Sequence, residues 1–267
     1  MHFTFPFTVV QVLWTLTFAA QLVLLVVMLG RDRMARYPWF TASIALSALR
    51  LLVEILLTGR MSMLVLQTVF LSLATLSAIV GLMVVMEIAR RAFDGAHRLV
   101  LINGAMAAVV VSCTLMAFFS PWPLRQELTW NSLLAVLRLL QLAAQKMDML
   151  GDLLAVELGL LVVIFGRRFK AGWRSHTQAI ALGLSIIGLA WLAVQAIWIN
   201  IAKNAHPTTR VEYDRIVALG NHLVNTNKGV YVAVLIWWLV WLWFDEPGTP
   251  IVTGDEPPAK TADIAVE

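Results

Sequence analysis

Cysteine is almost absent from this chain. Cys113 is the single one in 267 residues, and it falls inside an apolar run. That excludes a disulfide framework and a cysteine-built metal site. Charge is scarce as well: 13% of residues are Asp, Glu, Lys or Arg, 60% are hydrophobic, and the mean hydropathy is +0.80. A soluble domain carries about 25% charged residues, so the composition describes a polytopic membrane protein. No Lys or Arg precedes Arg31. The basic start of a cleavable signal is therefore missing, and the first apolar run reads as a retained membrane helix.

Other absences narrow the chemistry. None of the five histidines (His2, His97, His176, His206, His222) lies in the core of an apolar run, which leaves no paired-histidine haem site. There is no phosphate-binding glycine loop, no HExxH, no GxSxG and no zinc-ligand spacing. A retinal pigment would need a lysine midway along its last helix, and here Lys228 stands at the start of that run. No cofactor and no metal ion is expected, and no motif points to an enzyme. The net charge of +4 does not indicate nucleic acid, because the basic residues sit in short loops between apolar runs.

What the chain does have is seven apolar runs near the length that a bilayer requires. They cover roughly 8–29, 39–58, 62–88, 99–119, 143–166, 177–201 and 229–244. The expectation is an all-α integral membrane protein, a seven-helix transmembrane domain over 1–244. One set of connections carries Arg31, Arg33, Arg36, Arg90, Arg91, Arg98, Arg167, Arg168, Lys170 and Arg174, and the opposite set carries Arg60, Arg125, Lys203, Arg210, Arg215 and Lys228. Ten against six, with the ten in shorter loops, places the first set in the cytoplasm. The N-terminus is then outside and the C-terminus inside, in a multi-pass protein of a cell's inner or plasma membrane. The Gly30-Arg31 and Gly166-Arg167 turns suggest a repeat, but the halves do not align, so the likeness is one of loop composition.

Between the sixth and seventh runs, Thr209 and Glu212 fit a capping box. Val211, Ile216, Leu219 and Leu223 follow at near-helical spacing. This predicts a short extracytoplasmic helix at about 209–224, packed on the fifth helix or lying at the lipid interface. Trp237, Trp238, Trp241 and Trp243 read as interfacial anchors, with an aromatic cage for a cation as the lesser reading. The tail 245–267 is rich in Pro, Asp and Glu. It should be disordered and cytoplasmic, drawn weakly to the basic loops.

The candidate site is the polar stripe of the fifth helix. Arg138, Gln141, Gln145, Asp148 and Asp152 are spaced 3, 4, 3 and 4 apart, which puts them on one helix face. Continuing by three reaches Ala155, and Glu157 lies on a neighbouring face. Ionisable groups inside the apolar layer cost several kcal/mol and usually face a bundle interior. At about 1.5 Å per residue, Glu157 lies about 15 Å and Asp152 about 22 Å from Arg167, while Arg50 and Glu54 lie about 18 Å and 24 Å from Pro38. Matching depths predict that the second and fifth helices meet around Arg50, Glu54, Asp148, Asp152 and Glu157, with Arg138 and Gln145 further out. One arginine among several carboxylates leaves an acid to carry a proton or to meet a cationic ligand. The opposing reading is a packing network, in which Arg50 and Glu54 neutralise each other four residues apart.

Two function classes follow. The pocket binds a small polar or cationic molecule and the bundle, as a sensor, signals through a separate cytoplasmic or membrane protein partner. Alternatively the carboxylates couple protons to solute transport. A structural subunit of a membrane complex is the third reading. The lipid bilayer is a partner in all three.

Overall fold

The computed structural model describes residues 8–57, 60–94, 98–119, 132–165, 175–205 and 209–245. These form seven α-helices and no strand: α1 (Val9–Gly30), α2 (Pro38–Leu57), α3 (Met63–Ala92), α4 (Arg98–Phe119), α5 (Leu133–Phe165), α6 (His176–Asn204) and α7 (Arg210–Trp243). Six of them, all but α5, are long and apolar enough to cross a membrane. The chain is an all-α, multi-pass membrane bundle.

Local signals set the helix starts. Thr8 accepts from the Gln11 amide while Gln11 reaches back to the Thr8 amide, a capping box that opens α1. Ser175 caps α6 through the Gln178 amide. The Thr209–Glu212 box forms as its spacing predicts. The helix it starts does not stop, however. α7 runs unbroken for 34 residues, so the separate extracytoplasmic helix expected at 209–224 is instead the first part of α7. At 1.5 Å per residue that is about 51 Å, against about 30 Å of hydrocarbon. Gly229 is the junction that the sequence offers for a break, and the helix carries through it. This half of α7 packs on α6 rather than α5. Gly220 accepts the Trp198 ring so closely that a Cβ there would lie 2.8 Å from Trp198 Cζ3.

The helices close a ring. α1 packs on α2 and α7, α2 on α3, α3 on α6, and α6 on α7. α5 wedges into the seam between α3 and α6, and α4 lies outside it, touching α5 alone among the described residues. Glycine makes the α5–α6 and α6–α7 seams close, as small residues do where lipid supplies no hydrophobic drive. A Cβ on Gly159 would fall 2.5 Å from Ser185 Oγ, one on Gly188 2.9 Å from the Asp152 carbonyl, and one on Gly183 2.5 Å from Trp238 Cε2.

The main core occupies one end of this ring. Leu24, Val27 and Met28 of α1 meet Phe40 and Ile44 of α2, Val84 and Ile88 of α3, Val162 of α5, Ile180 of α6, and Leu235, Trp238 and Leu242 of α7. Trp238 is therefore a core residue and not an interfacial anchor. It is 1% exposed, its Nε1 donates to the Ala179 carbonyl at 3.0 Å, and its ring meets Phe40 edge-on at 4.9 Å. Trp237 and Trp243 stay exposed, and Trp237 stacks on Trp241.

Candidate functional site

α2 and α5 both pack on α3 and do not touch each other, among the described residues. The direct meeting of these helices that matching depths predict is thus replaced by a furrow with α3 as its floor. α3 takes up the α5 surface that would have met α2: Leu71 packs with Leu137 and Ala144 of α5, and Leu82 Cδ2 lies 3.8 Å from where a Cβ on Gly151 would stand.

Across this furrow Arg50 faces Asp148, one turn away from the Asp152 that lies nearer its depth by counting. The Arg50 guanidinium acts electrostatically on the Asp148 carboxylate, and Asp148 acts on Asp152 one turn deeper. Arg50, Glu54 and Asp148 are exposed, and Asp152 is half-buried. Glu54 shares the Arg50 face of α2 by its spacing of four. Arg138, Gln141 and Gln145 continue the stripe toward the start of α5 and are exposed. Two residues on this helix depart from the expected site. Glu157 turns away and accepts from the buried Ser112 hydroxyl at 2.9 Å, which ties α5 to α4. Ala155 is 5% exposed, so the stripe ends at Asp152. Lys146 is buried and lies off the stripe. What remains is the Arg50 guanidinium acting on Asp148, with Asp152 as a second carboxylate one turn away, an arrangement that suits a proton or a small cation.

A second polar centre lies at the opposite end of the ring, and the sequence reading passed over most of it. Asp32 takes a left-handed backbone conformation (φ 50°), which Asp tolerates better than most residues, and this turn carries Arg33 inward. Arg33, 6% exposed, bonds the His176 ring, the Phe244 carbonyl at 2.7 Å and Asp245 Oδ1 at 3.1 Å. His176 also meets the Phe244 carbonyl, at 3.0 Å. Arg31 reaches Asp245 at 3.6 Å and lies over the Trp243 ring at 5.4 Å. The α1–α2 turn, the start of α6 and the end of α7 are thereby fastened together. Asp245, the first residue of the acidic tail, does lie against the basic turn; residues 246–267 are outside the described set.

Beside this latch, Glu87 of α3 accepts the Phe40 amide at 3.0 Å and a further backbone bond from Trp39, while facing Arg91. A carboxylate at the start of α2 is placed where free amides and the helix dipole favour it. Tyr37, fully buried, donates to or accepts from Thr177 Oγ1 at 2.9 Å and has Arg36 and Arg91 over its ring at 5.6 and 5.0 Å. Next to these groups opens a cavity of about 580 Å³, whose lining includes Arg36, Arg90, Arg91, Glu87, Trp39 and Met86. The available signal was Glu87 itself, an acid inside the third apolar run with two arginines three and four residues on.

At mid-depth, Gln21 donates to the Tyr231 hydroxyl at 3.1 Å, and Tyr231 also bonds Ser47. This polar joint links α1, α7 and α2, as side-chain hydrogen bonds between membrane helices do. Among the described residues no three His, Cys, Asp or Glu side chains come together as metal ligands. No protein-family profile, curated protein or solved structure matches the chain.

Proposed function

We propose that the protein is a membrane-embedded binder of a small cationic molecule, acting as a sensor through a separate protein partner. The observation that carries this reading is the furrow between α2 and α5, where Arg50 opposes Asp148 and the half-buried Asp152 lies one turn deeper. One arginine offsets one acid, and the excess negative charge favours a cation. The Lys and Arg distribution supports an N-terminus outside and the arginine-rich end in the cytoplasm of a cell's inner or plasma membrane. The furrow then opens toward the exterior half. Below it, Phe40, Ile88, Leu235 and Trp238 fill the ring, which supports a blind pocket over a path through the bundle. A proton-coupled transporter would have to open that packed half in each cycle.

The test is a thermal-shift screen of the full chain in detergent, using primary, secondary and quaternary alkylamines. A ligand should raise the melting temperature of wild type and leave Asp152→Asn unmoved, with both proteins equally stable when unliganded. Proton-dependent uptake into vesicles that Asp152→Asn abolishes would replace the sensor with the transporter. Lost stability of Asp152→Asn, with no ligand effect on wild type, would reduce the charges to a packing network.

A further inference from the structure

The cavity at the arginine-rich end is separate from the furrow, and its chemistry is of opposite sign. Three guanidiniums, from Arg36, Arg90 and Arg91, face two carboxylates, from Glu87 and Asp94. Glu87 accepts backbone amides at the start of α2 and faces Arg91. Arg90 is exposed and makes no hydrogen bond or ion pair among the described residues. The Ser175 and Thr177 side chains, at the start of α6, add hydroxyls to the lining. Trp39, Met83 and Met86 add apolar wall to it, and Met83, Met86 and Arg90 follow each other on one face of α3 by their spacing of three and four. The cavity lining therefore combines guanidiniums and hydroxyls with apolar surface. It sits where α3 ends, at Ala92, which is the depth at which a membrane helix leaves hydrocarbon for headgroups. Guanidinium is the side chain best suited to phosphate, because its fork matches two phosphoryl oxygens at once.

We propose that this cavity binds a phosphate ester bearing an apolar tail. The phosphoryl oxygens lie against Arg90 and Arg91 within reach of the α6 hydroxyls, and the tail runs along Met83, Met86 and Trp39. The same chemistry has two sources, an anionic phospholipid of the surrounding leaflet or a soluble phosphate ester, and the depth of the cavity favours the lipid. Occupancy would bridge α2, α3 and α6, so the site would stiffen the end of the ring that faces a cytoplasmic partner.

The experiment uses the full chain in detergent, mixed with dioleoylphosphatidic acid, dioleoylphosphatidylcholine or glycerol 3-phosphate. Native mass spectrometry counts bound molecules, and the melting temperature reports their effect. Arg90→Lys keeps the charge and removes the fork, while Met83→Glu places a negative charge on the apolar wall at an exposed position. Phosphatidic acid should bind wild type in preference to phosphatidylcholine and raise its melting temperature. Each variant should weaken that binding about tenfold, the effect of losing one charge-assisted bond. Arg60→Lys, at the other end of the bundle, should not change it. Glycerol 3-phosphate binding that the same two variants weaken would also support the site, with a soluble ester as its occupant. Phosphatidic acid binding that is equal in wild type, Arg90→Lys and Met83→Glu would overturn the proposal, and so would failure of wild type to bind either phosphate.

Discussion

Gly183→Ala is the sharpest test of how the ring is closed. The added Cβ would stand 2.5 Å from Trp238 Cε2 and 2.7 Å from Cζ2, well inside van der Waals contact, with the indole nitrogen closer still. Trp238 cannot yield toward solvent. It is 1% exposed, pinned by its bond to the Ala179 carbonyl and by the Phe40 ring. Overpacking of this kind costs about 1–3 kcal/mol, and breaking an interhelical hydrogen bond adds about 1 kcal/mol. Alanine's better helix propensity returns about 1 kcal/mol. The net loss is about 1–3 kcal/mol, which for a chain of this size lowers the melting temperature by on the order of 5 °C. The assay is thermal unfolding in detergent, read by size-exclusion peak height. The decisive comparison is with Trp238→Leu, which removes the indole atoms that the Cβ would strike. In that background only the propensity gain survives, so Gly183→Ala should become neutral or stabilising. Additive losses in the double variant would refute the close α6–α7 approach.

Three further outcomes follow from the same geometry. Gly188→Ala should lower the melting temperature by several degrees, since its Cβ meets the Asp152 backbone oxygen and neither main chain can swing aside; a neutral result would contradict the α5–α6 seam. Arg33→Gln should cost about 2 kcal/mol by removing charged bonds to the end of α7, and chymotrypsin should then cut faster after the exposed Phe244; unchanged cleavage would show that the latch does not hold. Tyr231→Phe should destabilise by about 1 kcal/mol. Gln21→Leu should be neutral or stabilising, because Gln21 Oε1 is buried with no partner among the described residues and leucine removes that burden. The reverse order in melting curves would contradict this account of the joint.

Much of the fold is legible in the residues, because hydrophobic length is a strong signal in lipid. The seven apolar runs correspond to seven helices, and Thr209 with Glu212 marks the start of α7 within a residue. What the sequence hides is which helix lies beside which. Depth along a helix follows from counting, but azimuth does not, so the charges of α2 and α5 were matched by depth and α3 was not placed between the two helices. Burial of tryptophan was hidden for the same reason. Trp238 and Trp237 are neighbours in a run of indoles, yet one fills the core and the other faces outward. Glu157 was grouped with the stripe although its neighbouring face is turned to Ser112. The latch at Arg33 and His176 was illegible because Arg33 was read as an orientation signal in a loop, where a buried guanidinium is the exception.

The central claim is that water reaches Asp152 from the exterior half of the membrane along the α2–α5 furrow. The most direct measurement is labelling of Asp152→Cys by a membrane-impermeant maleimide, with the exposed Cys113 changed to Ser. A thiol must be hydrated and ionised to react, so one facing lipid or packed dry stays silent. The account predicts labelling from the N-terminal side alone. Labelling from the arginine-rich side, or from neither side, would contradict it.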